Sequence, residues 1–190
     1  VALRADDGAV YRGRLAVAAD GAHSPVRAAL GIRTSSRRYP DTYLMGDFPD
    51  DTADTDLGVL YLEPEGIVES FPLPGRLRRW VARTPSLAAA PSAAQLAGLI
   101  RQRTGVGVDV SGNSMLSAFA VRSTLARHLV RGRVALVGDA AHVVSPIGGQ
   151  GMNLGWLDAA ALAPVITAAL RGEPAGARLR EFERSRRRAA

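Results

Sequence analysis

Two short runs of this chain carry residues able to hold a ligand rich in hydroxyls and negative charge. Arg133 to Val137 is an apolar, β-branched-rich run that predicts a buried strand, with Gly138-Asp139 at its carboxyl end. Ligands of open α/β sheets sit at such ends. Glycine lets the backbone approach a ligand, and a short carboxylate accepts hydrogen bonds from sugar-like hydroxyls. Downstream, Pro146, Gly148, Gly149, Gln150, Gly151, Met152 and Asn153 lead into an apolar helix. The unpaired amides of a helix start favour negative charge. Gly-Asp after a strand is by itself an ordinary turn; the glycine-rich helix entry beyond it makes Asp139 a ligand candidate.

Leu15 to Ala19 is a second strand-like run, ending in Asp20-Gly21 and followed by Ala-His-Ser-Pro-Val-Arg. Ser24 suits an N-cap, Pro25 the first helical position and Gly31 the closing turn, which predicts a short helix from about Pro25 to Leu30. Arg27 then lies on its first turn, suited to a phosphate or to a neighbouring carboxylate. Asp20 before a capped helix is also sufficiently explained as a turn residue. His142 fits backbone hydrogen bonding better than acid–base chemistry. Asp158, in an otherwise apolar helix, requires a hydrogen-bond partner if buried.

Ala19-Asp-Gly-Ala-His-Ser-Pro-Val-Arg27 and Gly138-Asp-Ala-Ala-His142, with Pro146, Gly149, Gly151 and Asn153 downstream, resemble the two internal motifs of the FAD-dependent aromatic-hydroxylase family, the class A flavoprotein monooxygenases. The resemblance implies an α/β (α+β) fold. A partial FAD-binding, Rossmann-like domain (residues 1–31 and 122–190) is interleaved with an antiparallel-sheet substrate domain (residues 32–121). It implies FAD as cofactor and NAD(P)H as co-substrate. The implied reaction hydroxylates or epoxidises an aromatic or polyketide-like small molecule with O2, through a flavin hydroperoxide. By the same resemblance, Gly138 and Asp139 meet the ribityl chain of FAD. Pro146, Gly148, Gly149, Gln150, Gly151, Met152 and Asn153 lie along its ring, and Asp20 and Arg27 serve FAD and NAD(P)H. Met45, Tyr61, Phe71 and Phe119 are candidates to line the substrate pocket, ordinary core being the alternative; no catalytic side chain is assigned. Ser145 stands where many relatives carry a second proline.

The family's opening strand, G-x-G-x-x-G loop and helix have no counterpart here. Gly105/Gly107 and Gly149/Gly151 are followed by Val110 and Leu154 where the fingerprint needs its third glycine. The chain is therefore expected to be an internal fragment, inactive alone. The alternatives are a related flavoprotein reductase or halogenase, a non-catalytic fragment binding a hydrophobic ligand or partner, and a basic nucleic-acid-binding module.

Composition narrows these choices. At 190 residues and 47% apolar content the chain can bury a core. Cysteine is absent, which removes disulfides, thiolate metal sites and thiol nucleophiles, and a cytoplasmic location is expected. All 24 basic residues are arginine, so no Walker-type or Schiff-base lysine exists in this segment. His23, His128 and His142 are scattered, without metal-ligand spacing. The net charge of +6 is mostly local, since the last twenty residues carry +4 of it. Phe182 is the one aromatic among those arginines, which reads as the solvated face of a terminal helix and not as a nucleic-acid surface. Leu154 to Leu170, interrupted by Asp158 and Pro164, falls short of the roughly 20 residues of a membrane span.

The remaining pattern predicts a hairpin turning at Asp7-Gly8 and strands over Thr42–Phe48, Leu57–Glu63, Ile67–Leu73 and Leu77–Arg83. An amphipathic helix over Ser92–Arg103 and a strand over Ser114–Val121 follow. The resemblance implies a small organic substrate; no nucleic-acid partner and no membrane span are expected, and the oligomeric state is open.

Overall fold

A computed structural model describes residues 1–54, 56–145 and 149–190. The strands are β1 (Ala2–Arg4), β2 (Val10–Arg12), β3 (Ala16–Ala18), β4 (Thr34–Pro49), β5 (Val59–Tyr61), β6 (Val68–Leu73), β7 (Leu77–Thr84), β8 (Met115–Ala126), β9 (Val130–Arg131), β10 (Val134–Leu136) and β11 (His142–Val143). The helices are α1 (Pro25–Ala29), α2 (Ala93–Thr104), α3 (Gln150–Leu170) and α4 (Gly176–Ala189). Contacts divide the chain into one unit of Val1–Arg38 with Arg122–Ala190 and another of Tyr39–Val121.

In the first unit, β1 and β2 form an antiparallel hairpin whose turn uses Gly8 at φ 87°, where a side chain would be strained. The Ala9 amide donates to the Asp7 carboxylate at 2.8 Å. The hydrophobic runs of β3 and β10 pair in parallel, Val134 opposite Ala16 and Leu136 opposite Ala18, and β9 adds antiparallel to β10. Parallel pairing brings both carboxyl ends to one edge. α1 starts as its residues dictate: the Ser24 hydroxyl accepts the Arg27 amide at 2.9 Å, Pro25 follows, and Gly31 closes the turn at φ 63°. Leu136, Leu162, Val165, Leu179 and Phe182 bury together, joining β10, α3 and α4.

One helix among the described residues, α3, is long and apolar enough to cross a membrane by length and composition, which differs from the shorter span read from sequence. The helix starts at Gln150 and gains a polar first turn that hydropathy alone leaves out. Asp158, near its middle, is fully buried and hydrogen-bonded within this unit.

The second unit is an antiparallel sheet in the order β8-β4-β7-β6-β5 with α2 across one face. Strand alternation sorts its side chains. Leu44, Phe48, Val68, Trp80 and Ala82 bury against Leu96 and Ile100, which stand one turn apart on α2. Gly46 permits that packing, since a Cβ there would meet Leu96 Cδ2 at 2.9 Å. α2 is capped by the Ser92 hydroxyl, which accepts the Gln95 amide at 3.1 Å, and closes at Gly105 with φ 75°.

Two strands run further than the hydrophobic pattern foretells. β4 begins at Thr34, ahead of the expected Thr42, and β8 continues to Ala126, past Val121. Thr34 to Arg38 is polar and mostly exposed, so it leaves no apolar alternation although its backbone is extended.

Candidate cofactor site

The parallel register of β3 and β10 places Asp20-Gly21 and Gly138-Asp139 beside each other, just beyond the carboxyl ends of the two strands. The Val137 amide donates to the Ala18 carbonyl at 3.0 Å, holding that register up to the turn. Gly138 adopts φ 57°, and one turn of 3-10 helix over Gly138–Ala140 follows. The Asp139 side chain is exposed and makes no hydrogen bond or ion pair among the described residues. It is a carboxylate held ready by a fixed backbone.

α3 opens after Gly149 at φ 64°, and no side chain among the described residues caps its first amides. Gly149, Gln150, Met152 and Asn153 are exposed at that start, with Gly151 half-buried. Pro146 and Gly148 lie outside the described residues. A helix start beside an exposed carboxylate suits a ligand with both hydroxyl groups and anionic character.

Arg27 ties the two motifs together. Its Nη1 donates to the Ala140 carbonyl at 2.8 Å and its Nη2 to the Ala22 carbonyl at 2.7 Å, so the guanidinium bridges the two turns where sequence suggested a phosphate or a carboxylate. Asp20 accepts the Val26 amide at 3.0 Å. Burial pushes its carboxyl up, but bonds from Ser24 and Val26 outweigh this and hold it below the usual range. Asp20 is thus built into the start of α1.

His142 departs from the expected backbone bond. Its Nε2 lies 2.6 Å from Asp158 Oδ2, both side chains being buried. Nδ1, also buried, has no partner among the described residues. A hydrogen on Nε2 is directed at the carboxylate, whereas one on Nδ1 is a buried donor without an acceptor among the described residues. Asp158 Oδ2 also accepts the Gly138 amide at 2.9 Å. Burial raises the Asp158 carboxyl, and the bonds from His142, Arg186 and Gly138 more than offset it, leaving it below the usual carboxylate range. The sequence-level requirement that a buried Asp158 find a partner is met.

Within the second unit, Met45, Phe71 and Phe119 occupy the sheet face away from α2, and Phe119 stacks on Tyr43 with centroids 5.5 Å apart. Tyr61 does not share that face. It pairs with Val68 across β5 and β6, packs half-buried against the α2 core and stacks on Trp80 at 6.1 Å, so the register sets it on the α2 side.

Glu69 carries no local sequence signal of a special role. It sits on the Met45 face, opposite Val81, at 5% exposure with no hydrogen bond or ion pair among the described residues. The arginines flanking Val81 on β7 are already engaged, Arg79 with Asp47 at 2.8 Å and Arg83 with Asp41 at 2.9 Å. Burial pushes the Glu69 carboxyl up. The cost of its charge is therefore absent below the ordinary value of 4.5 and grows as pH rises through the folded value. Glu69→Gln is expected to raise Tm at pH 7 or above and leave it nearly unchanged at acid pH. Thermal melts at both pH values check this, and a lowered Tm at neutral pH would contradict it.

Comparison with known proteins bears on the whole chain. A family model described as FAD binding domain matches residues 3–190. The chain belongs to this FAD-binding domain family. With it come the FAD-dependent aromatic-hydroxylase-like flavoproteins of the sequence resemblance, and FAD as the cofactor. The FAD-binding chain is 35% identical to the ubiquinone hydroxylase UbiL of Rhodospirillum rubrum, over 98% of this chain and 46% of that protein. It is 35% identical to the 6-methylpretetramide 4-monooxygenase of Streptomyces rimosus, over 82% of this chain and 29% of that protein. Among solved structures it is similar to PqsL, a probable FAD-dependent monooxygenase from Pseudomonas aeruginosa. The TM-score is 0.80 at 30% identity, over 99% of this chain and 55% of that one. The FAD-binding chain spans less than half the length of these two curated relatives.

Proposed function

We propose that the protein carrying this chain is an FAD-dependent monooxygenase that uses NAD(P)H and O2 to hydroxylate or epoxidise an aromatic or polyketide-like small molecule. The observation that carries this reading is the exposed Asp139 carboxylate beyond β10, in the same unit as the start of α3. The names of the relatives support the reaction class. Bound FAD supplies the electron transfer and the oxygen activation.

The chain's own residues then bind and orient. Asp139 would accept from the hydroxyls of the ribityl chain. The amides from Gln150 to Asn153 would stabilise the negative charge that the bound ring system carries on reduction. A helix start contributes roughly 0.3 to 1 kcal/mol when exposed and about 2 when partly buried, enough to tune the cofactor and far too little to account for catalysis. Arg27 and Asp20 hold the neighbouring turn. Met45, Phe71 and Phe119 offer apolar surface to the organic substrate and exclude water around it.

The assay is oxygen incorporation by the full-length protein with FAD, NAD(P)H and a panel of phenols and polyketide-like aromatics. Label from isotopic O2 in the product is expected, together with substrate-dependent NAD(P)H consumption. Anaerobic reduction of a substrate double bond, or a product that requires chloride, would replace this reading with a reductase or a halogenase.

A further inference from the structure

We propose that Arg186, acting through Asp158, is a positioning residue for the Asp139 turn, so that the last helix of the chain sets how firmly the protein holds FAD. The inference rests on the reading of Asp139 as a cofactor contact. A single carboxylate grips both ends of that turn: Asp158 Oδ2 accepts from the Gly138 amide at 2.9 Å and lies 2.6 Å from His142 Nε2. Its other oxygen, Oδ1, accepts from Arg186 Nε at 2.6 Å. Arg186 Nη2 also reaches the Leu154 carbonyl at 3.4 Å, one turn earlier on α3. Asp139 itself has no side-chain bond among the described residues, so its place is fixed by the backbone on either side of it.

Contact between α3 and the turn is close enough for a shift to be transmitted. Gly155 lies one turn before Asp158, and a Cβ there would stand 3.3 Å from the Gly138 Cα. No side chain cushions the two backbones. The charge arithmetic points to Arg186. Asp158 is wholly buried, and a buried carboxylate needs a cation beside it as well as hydrogen-bond donors. Arg186 alone among the bonded partners is a permanent cation.

α4 presents Arg186 by simple spacing. Leu179, Phe182, Glu183 and Arg186 follow the i, i+3, i+4, i+7 pattern of one helix face. Leu179 and Phe182 bury in the core, and the Glu183 carboxylate accepts the Leu129 amide at 2.9 Å. The arginines Arg180, Arg184, Arg187 and Arg188 are exposed, while Arg186 turns inward. One member of an apparently solvated basic tail thus belongs to the cofactor site.

The experiment measures FAD Kd by flavin fluorescence in the full-length protein for wild type, Arg186→Gln, Arg186→Lys, Asp139→Ala and the Arg186→Gln/Asp139→Ala double variant. Folding of each is checked by circular dichroism. Arg186→Gln is expected to raise Kd roughly tenfold, within the range of couplings between contacting residues. It should also shift the visible band of the flavin that remains bound, and Arg186→Lys should restore most of the affinity. In the Asp139→Ala background, Arg186→Gln should add little, because it acts through Asp139.

A folded Arg186→Gln protein with wild-type Kd would overturn the proposal, as would effects of the two substitutions that simply multiply. Should Arg186→Gln fail to fold, Gly155→Ala presses on the same turn without altering charge. It is expected to weaken FAD binding in the same non-additive way, and an unchanged Kd there overturns the proposal equally. Unchanged affinity in Asp139→Ala would sink the reading of Asp139 and this proposal together. Weakened Asp139→Ala beside a normal Arg186→Gln sinks the proposal alone.

Discussion

Asp139→Ala is expected to weaken FAD binding by about 10- to 100-fold while leaving the melting temperature within a degree or two of wild type. The two halves of this expectation come from the same geometry. The carboxylate is exposed and bonds to no other described side chain or amide, so its removal takes no bond from the described part of the fold. Surface changes of this kind fall within about 0.5 kcal/mol. Hydrogen bonds to a charged group contribute roughly 1.5 to 3 kcal/mol, and about 1.4 kcal/mol is tenfold in affinity, which gives the stated range. Fluorescence titration with FAD and a parallel thermal melt provide both numbers. A large loss of stability with normal affinity would make Asp139 a structural turn residue.

Asp158→Ala reverses that pattern, since it is expected to destabilise the fold by about 3 to 5 kcal/mol, the scale of breaking a buried ion pair from one side. It leaves Arg186 without its counter-ion, and His142 Nε2 and the Gly138 amide without their acceptor. The pH dependence has a definite sign. The folded Asp158 carboxyl lies below its ordinary value of 3.8, so its contribution is fully present above that pH and is lost as pH falls through the folded value. Wild type and Asp158→Ala should therefore differ most near neutrality and converge in acid. Denaturation at a series of pH values checks this, and a difference that widened in acid would contradict it.

What the sequence conveyed follows the range of the interactions involved. α1 was legible because Ser24, Pro25 and Gly31 each act within a few residues of the helix ends. The Ser92 cap and the Asp7-Gly8 turn are of the same kind. The need of Asp158 for a partner was legible from its apolar surroundings. Arg186 as that partner was not, because it lies 28 residues away on another helix and no local rule selects it among the neighbouring arginines. His142 was assigned a backbone bond since nothing in its neighbourhood reveals the carboxylate that α3 brings to it.

In the second unit, the side on which a residue falls depends on register. Tyr61 looked equivalent to Met45, Phe71 and Phe119 until strand pairing set it against Val68 and Trp80. Glu69 was invisible for a related reason: its isolation arises because Arg79 and Arg83 are engaged across to β4, a tertiary fact. The polar start of β4 escaped because hydrophobic alternation reports burial, and an exposed extended segment has little to report.

The most direct measurement is the visible absorption spectrum of the full-length protein after incubation with FAD and removal of free cofactor. A retained flavin band is predicted, with its shape perturbed from that of free FAD by the turn at Gly138-Asp139 and the start of α3. A folded protein that retains no flavin would contradict the account, and would leave both motifs as ordinary turns.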